Sequence, residues 1–264
     1  MRSLFRLPPP LRPAPKPALR RDTLQLKLAQ DHVIEVLRVR DPRARRIRLS
    51  VDERGARLTL PARASLLAGD RFVDDHRDWL QAQLAVFADH ADAVLERGTT
   101  ARLPLRGADV PVHWRAGRAS RVRLDETGDL VFETPASAGD PALRRALRDF
   151  YEAQARADVG RWLPGYLDGL PRPPRRVVFK RTSSQWGSLA PDGTLSLDLA
   201  LVLARPSAFE YVLVHELCHL IHADHSRRFW SEVQRRFPAW REERAWFNAE
   251  GRRLKARLRR LLAG

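Results

Sequence analysis

From Leu24 onward apolar and polar residues alternate in short runs. Leu24, Leu26 and Leu28 take every second position, residues 33–38 alternate likewise, and 47–51 follow as Ile-Arg-Leu-Ser-Val. A turn signal at 52–55 precedes Arg57, Leu58, Thr59 and Leu60. A period of two over such short stretches predicts strands in a hairpin arrangement. Between residues 70 and 91 the period lengthens, and Phe72, Val73, His76, Trp79, Leu80, Leu84 and Phe87 mark one helical face. Strand-like pieces return at 102–105, 110–114, 121–124 and 130–133, so the first half reads as a small α+β unit of mostly antiparallel strands.

A longer helical period starts at Asp140, expected as the N-cap, with Pro141 at the first helical position. Leu143, Leu147, Phe150, Tyr151, Ala155, Val159 and Trp162 form its apolar stripe, and Pro164 with Gly165 ends it. Residues 171–174 form a rigid connection. Residues 176–180 then read as a strand, 183–193 as loop and turn, and 194–198 as a returning strand. Pro206 opens a helix that runs through His215, Ser226 caps another over 227–237, and 241–262 give a last, basic helix. Residues 1–22 are basic, proline-rich and without apolar period, which predicts a flexible extension. No internal repeat stands out. The organisation expected is an extension over 1–22, an α+β unit over 23–136 and a second unit over 137–264.

Composition narrows the classes. The seven tryptophans and 44% apolar content argue against disorder. The longest apolar stretches, such as 195–204, fall far short of the ~20 residues that span a bilayer, so no membrane partner is expected. The single cysteine, Cys218, excludes an intramolecular disulfide and a zinc site built from cysteine pairs. Prolines interrupt the N-terminus and no apolar core follows its arginines, which speaks against a secretory signal. The expected setting is the cytoplasm. The net charge of +16 comes almost wholly from arginine, with lysine only at Lys16, Lys27, Lys180 and Lys255. Such a bias reflects either codon composition or an attraction to polyanions. On the second reading the basic extension and Arg252, Arg253, Arg257, Arg259 and Arg260 would bind nucleic acid weakly and with little sequence preference.

The chemistry concentrates in one segment. Residues 215–219 read His-Glu-Leu-Cys-His. At about 100° per residue, His215 and His219 fall about 40° apart on one helical face, one turn apart, and can share an ion at about 2.0–2.1 Å. Glu216 sits beside that face, placed to take a proton from a water on the ion without ligating it. A catalytic zinc needs a third protein ligand. His222 and His225 both offer one. His222 lies a turn further along the axis, which stretches the ligand set, whereas His225 on the following turn can fold back over the ion. The expected ligands are therefore His215, His219 and His225, with His222 at the rim. The span from His215 to His225 matches the metzincin motif, but position 222 is not glycine and the only methionine is Met1, so no methionine turn can underlie the metal.

Beyond the motif, the chain resembles the YgjP-like metallopeptidase family, related to the SprT-like zincins, over roughly residues 35–250. The resemblance rests on Trp186-Gly187-Ser188-Leu189, the strand 195–199, Tyr211 and Val212 ahead of the His-Glu-Leu-Cys-His run, His225-Ser226 and Phe229-Trp230. Upstream, 45–51 and 58–61 look like the family's N-terminal part. It implies an α+β chain whose zincin-like core carries HExxH on its active-site helix, with zinc on the three histidines, Glu216 catalytic and a peptide or protein as substrate. The family's usual cysteine in the tryptophan turn is Leu189 here, and Gln185 precedes the tryptophan, so that turn reads as architectural.

Supporting residues admit two readings each. Trp186 and Gly187 shape a tight turn, or present an edge strand to an extended peptide. Tyr211 is a core residue or a hydrogen-bond donor to the transition state. Cys218 is a small buried thiol. Phe229 and Trp230 lock the helix after Ser226 onto the motif helix and so fix His225. Lys180 and Arg181 are solvated, or face an oxyanion or anionic substrate. His32, His76, His90 and His113 read as ordinary. The rival functions are a metal-dependent phosphoanhydride hydrolase and a nucleic-acid-associated module with a vestigial site. The intact Glu216 argues against the last.

Overall fold

The computed structural model describes residues 20–28, 33–52, 55–88, 94–182 and 185–263. The proline-rich stretch 1–19, His32 and His90 lie outside them. Two compact units divide the chain, Met1–Val86 and Phe87–Gly264.

In the first unit, β1 (Arg20–Lys27), β2 (Val33–Asp41), β3 (Arg48–Asp52) and β4 (Gly55–Pro61) form one sheet in the order β1-β2-β4-β3. β1 and β3 run antiparallel to their neighbours, while β2 and β4 are parallel. Leu58 and Leu60, two apart on β4, point into a core shared with Val36, Val39, Val73 and Leu80. Against them packs α1 (Leu66–Asp75), capped by Ser65, whose Oγ accepts from the Ala68 amide at 3.1 Å. The expected single helix over 70–91 starts earlier and breaks at His76, where α2 (Arg77–Ala88) begins. Leu66 and Leu67 are exposed, so the first turn of α1 carries no apolar face for periodicity to find.

The second unit opens on β5 (Arg102–Leu105), β6 (Ala108–Ala116), β7 (Arg121–Leu124) and β8 (Leu130–Thr134), in the order β5-β6-β8-β7. Its pairings are antiparallel, parallel and antiparallel. Order and senses match those of the first sheet, and each sheet is followed by helix. This corrects the expectation that the chain lacks repetition: the architecture recurs, with Arg46-Ile47-Arg48-Leu49 echoed by Arg121-Val122-Arg123-Leu124, and Pro61-Ala62 by Pro135-Ala136. Each of these two sheets also contains one parallel pair among its mostly antiparallel pairings.

Next comes α3 (Asp140–Trp162), whose N-cap is Gly139 and not Asp140. The Asp140 carboxylate instead pairs with Arg144 one turn on, at 3.0 Å. Leu143, Leu147, Phe150, Tyr151, Ala155 and Val159 are buried as the stripe predicts. The Tyr151 hydroxyl donates to the Pro104 carbonyl at 2.9 Å, and the sheet β5–β8 shares one core with α3. The expected boundary at 136/137 thus falls inside the second compact unit.

Three further strands follow, β9 (Arg176–Lys180), β10 (Gly187–Leu189) and β11 (Thr194–Asp198), in the order β10-β11-β9. β11 does not return antiparallel on β9: the two are parallel, and β10, within what read as loop, pairs antiparallel with β11. β11 is buried along its whole length. A short helical turn, Leu199–Leu203, leads from it into α4 (Pro206–Cys218), and then come α5 (Arg227–Arg236) and α6 (Trp240–Leu262). Ser226 caps α5 through its Oγ, as expected. Among the described residues no helix is long and apolar enough to cross a membrane.

On α6 the basic residues do not form one open face. Arg257 pairs with Asp109, Arg253 lies 3.5 Å from Glu250, and Arg259 donates to the Thr182 carbonyl at 3.2 Å. Of the five arginines from 252 to 260 only Arg252 is exposed.

Candidate metal centre

α4 is apolar almost all round, and Ala208, Phe209, Val212, Leu213, Val214 and Leu217 bury it in the core. From Tyr211 onward one side of it opens onto a cleft. His215 and Glu216 lie in its last turn, and His219 is its C-cap. The chain then turns sharply, with the Ile221 and His222 amides both bonded to the Cys218 carbonyl at 3.0 Å. That turn and the Asp224–Ser226 cap bring His225 back over the helix end.

His215, His219 and His225 each present a ring nitrogen, all within 4.8 Å of one another. The Nε2 atoms of His215 and His225 are 3.1 Å apart. Two nitrogens bonded to one tetrahedral zinc are separated by about 3.3 Å, so this donor set fits such an ion. His219 has Nδ1 committed to the His222 carbonyl at 3.0 Å, which leaves Nε2 for the cluster. Beneath the rings lies Phe229, fully buried, with its centroid 5.0, 4.5 and 4.8 Å from those of His215, His219 and His225. Trp230 stacks on His225 at 5.8 Å and on Trp240 at 4.4 Å. His222 contributes its backbone carbonyl and not its ring.

Burial favours the neutral form of His215 and His219. Burial, then the neighbouring His219, His225 and Arg244, hold the His215 imidazole down to about 3. Burial likewise lowers His219. Among the described residues His215 Nδ1 is buried without a hydrogen-bond partner. A neutral imidazole is the form that can donate a lone pair to a metal.

Glu216 is 6% exposed, and burial pushes its carboxyl up to about 8. Gly187 holds it in place: a Cβ there would lie 2.6 Å from Glu216 Cγ and 2.7 Å from Oε1. Gly187→Ala should therefore displace the carboxylate or strand β10. Hydrolytic activity should fall about tenfold or more while metal content stays near normal, since misplacement by about 1 Å is enough for such a loss. Equal activity in the alanine variant would show that the contact does not position Glu216.

The turn before Gly187 is anchored from α6. Lys255, buried, donates to the Gln185 carbonyl at 2.6 Å, the Thr182 hydroxyl at 3.0 Å and Asp198 Oδ2 at 3.0 Å. Its Nζ also lies 4.4 Å above the Trp186 ring, and Gly251 lets α6 close against that ring. Sequence reading missed Lys255, although a lone lysine on the apolar face of a helix was a usable signal.

The cleft has a volume of about 720 Å³ and is lined by β10, by Tyr211, by the histidines and Glu216, and by Phe247 of α6. Tyr211 packs edge-on to His215 at 5.9 Å, and burial pushes its hydroxyl up to about 12. Cys218 is fully buried and does not line the cleft. Lys180 and Arg181 are exposed and do not line it either; the arginines that do are Arg172 and Arg244, which the sequence reading passed over.

Fold and site together define a mixed α+β chain with a histidine cluster and a buried carboxylate at the end of a core helix. The chain belongs to the YgjP-like family: the family model for the YgjP-like metallopeptidase domain matches residues 45–250. No curated protein matches it. Among solved structures, the metallopeptidase zymogen of Pyrococcus abyssi abylysin is similar at 23% identity, over 39% of this chain and 93% of that one, with a TM-score of 0.29. A likeness that loose carries no argument about this chain.

Proposed function

We propose that this chain is a zinc peptidase with a zincin-like core, its metal held by His215, His219 and His225 and its general base Glu216. The observation that carries the reading is the convergence of three imidazoles, two of them lowered by burial, beside a buried carboxylate. Zinc bound there would supply Lewis acidity, polarising a peptide carbonyl and acidifying a water. Glu216 takes the proton of the attacking water on a carboxylate oxygen and passes it to the leaving amine nitrogen, so the bond to that nitrogen breaks as a neutral amine departs. Burial of Glu216 suits this role, since it keeps bulk water from competing for the proton.

Substrate binding falls to β10. It lies at the edge of its sheet, paired on one side to β11, and it lines the cleft. Its second edge can pair with an extended peptide, main chain to main chain, which selects a polypeptide over a compact small molecule. Apolar lining from Trp186, Leu189, Val212 and Phe247 suits side chains on alternate positions. The single buried cysteine supports placing the enzyme in the cytoplasm.

The purified protein, loaded with zinc, should cleave members of a peptide library, lose that activity to a chelator and regain it on zinc addition. Nucleoside triphosphates offered in parallel should remain intact. Phosphoanhydride cleavage without peptide cleavage would replace this reading with the nucleotide one, and a zinc-loaded protein inert to both would leave only a binding role.

A further inference from the structure

Several arginines in the second half of the chain are answered by a carboxylate. Arg205 pairs with Glu243 at 2.9 Å, Arg236 with Glu232 at 2.6 Å and Arg253 with Glu250 at 3.5 Å. Arg244 differs. Its neighbours one turn away on α6 are Trp240, Arg241, Phe247 and Asn248, none of them acidic. Its guanidinium instead lies 5.0 Å over the Trp230 ring, and Trp230 is itself stacked on Trp240. Stacking occupies a face of the guanidinium and leaves the N–H donors at its edge available. Arg244 lines the same cleft as His215 and Glu216.

A second arginine shares the cleft. Arg172 lines the cleft and donates to the Pro191 carbonyl at 3.0 Å, two residues beyond the end of β10. Arg244 is one helical turn from Phe247, which packs on Trp186 at 4.7 Å, immediately before β10. Both arginines thus line the cleft along which the edge strand runs, Arg172 through the turn that follows the strand and Arg244 through the helix that packs on the residue before it.

Little nearby charge opposes them. Among the described residues Glu216 is the only carboxylate lining the cleft, and it is buried under Gly187. Asp192, beside Pro191, is taken by the Thr194 amide and hydroxyl, and Asp224 accepts from the Ser226 amide.

We propose that Arg244, with Arg172, forms an anion-recognising subsite that makes the enzyme prefer substrates bearing a carboxylate near the scissile bond. This rests on the peptidase reading above and names its substrate class. A charge-assisted hydrogen bond to an edge of Arg244 should favour glutamate over glutamine at one position by about tenfold or more. The carboxylate can come from an acidic side chain or from a free C-terminus, and both present the same planar pair of oxygens.

The test uses matched peptides differing only by Glu or Gln at each position around the cleavage site, with free or amidated C-termini. Two readouts apply: kcat/KM of the zinc-loaded enzyme, and binding to zinc-loaded Glu216→Gln protein followed by tryptophan fluorescence. The wild type should favour the Glu member about tenfold, and the ratio should collapse toward one in Arg244→Gln and recover in part in Arg244→Lys, with zinc content as the folding control. Preference that vanishes on amidation alone would assign the carboxylate to the chain terminus, still at this subsite. A ratio within twofold of one at every position, or one that survives in both Arg244→Gln and Arg172→Gln, overturns the proposal while leaving peptide cleavage standing. If no peptide is cleaved, the peptidase reading fails, and equal binding of Glu and Gln peptides then removes the subsite as well.

Discussion

Replacing Glu216 with glutamine should leave zinc bound and slow peptide hydrolysis by about 10² or more. Glutamine keeps the volume under Gly187, where a Cβ would come within 2.8 Å of the Glu216 carboxyl carbon, so the cleft should not reshape. It cannot accept a proton. The same variant tests the burial itself. In the metal-free protein the carboxyl is raised from 4.5 to about 8. Its folded pKa lies above the unfolded one, so its contribution to stability is complete below about pH 4.5. That contribution is lost as the pH rises toward 8, because the unfolded chain releases the proton first. Metal-free wild type should therefore weaken relative to metal-free Glu216→Gln between pH 5 and 8, as read by thermal unfolding at both. Wild-type turnover in the zinc-loaded variant would remove Glu216 from the chemistry, and parallel melting curves would remove its buried ionisation.

How far the sequence carried the reading varies by element, for physical reasons. α4, α5, β9 and β11 were legible to within a residue or two, because each has a strong period, a capping residue or a proline at its border. β10 was not: three residues reading Gly-Ser-Leu have no period, and their strand character comes only from pairing with β11. The recurrence of the four-stranded sheet was hidden because its matching segments are short, while strand order is a property of pairing. Close approach was equally invisible. That Gly187 abuts Glu216, and that Lys255 reaches back to Asp198 across 57 residues, depend on tertiary contact alone. Arg244 was lost in a background of arginine, and its stacking on Trp230 at the cleft, which sets it apart, is a tertiary contact. The gathering of His215, His219 and His225 was the most legible feature, since helical spacing brings the first two together before any folding is known.

The third member separates cleanly by mutation. Loaded with zinc, the wild type should hold about one ion per chain. His215→Ala and His219→Ala should each abolish that, and His225→Ala should lose most of it, because each removes one of the three nitrogens gathered within 4.8 Å. His222→Ala should retain the ion. Position 222 serves the cluster through its carbonyl, which accepts from His219 Nδ1 at 3.0 Å, and an alanine keeps that carbonyl. The imidazole itself is dispensable unless it ligates. The contrast is stronger than either variant alone, since both replace a histidine by alanine within the same turn. His225 carries more of that packing through Phe229 and Trp230, so His225→Gln, which fills more of the space, should lose zinc as well. Metal content by atomic emission, with circular dichroism to confirm folding, gives the answer. Stoichiometric zinc in His225→Ala together with none in His222→Ala would transfer the third ligand to His222 and require the 219–225 turn to rearrange on metal binding.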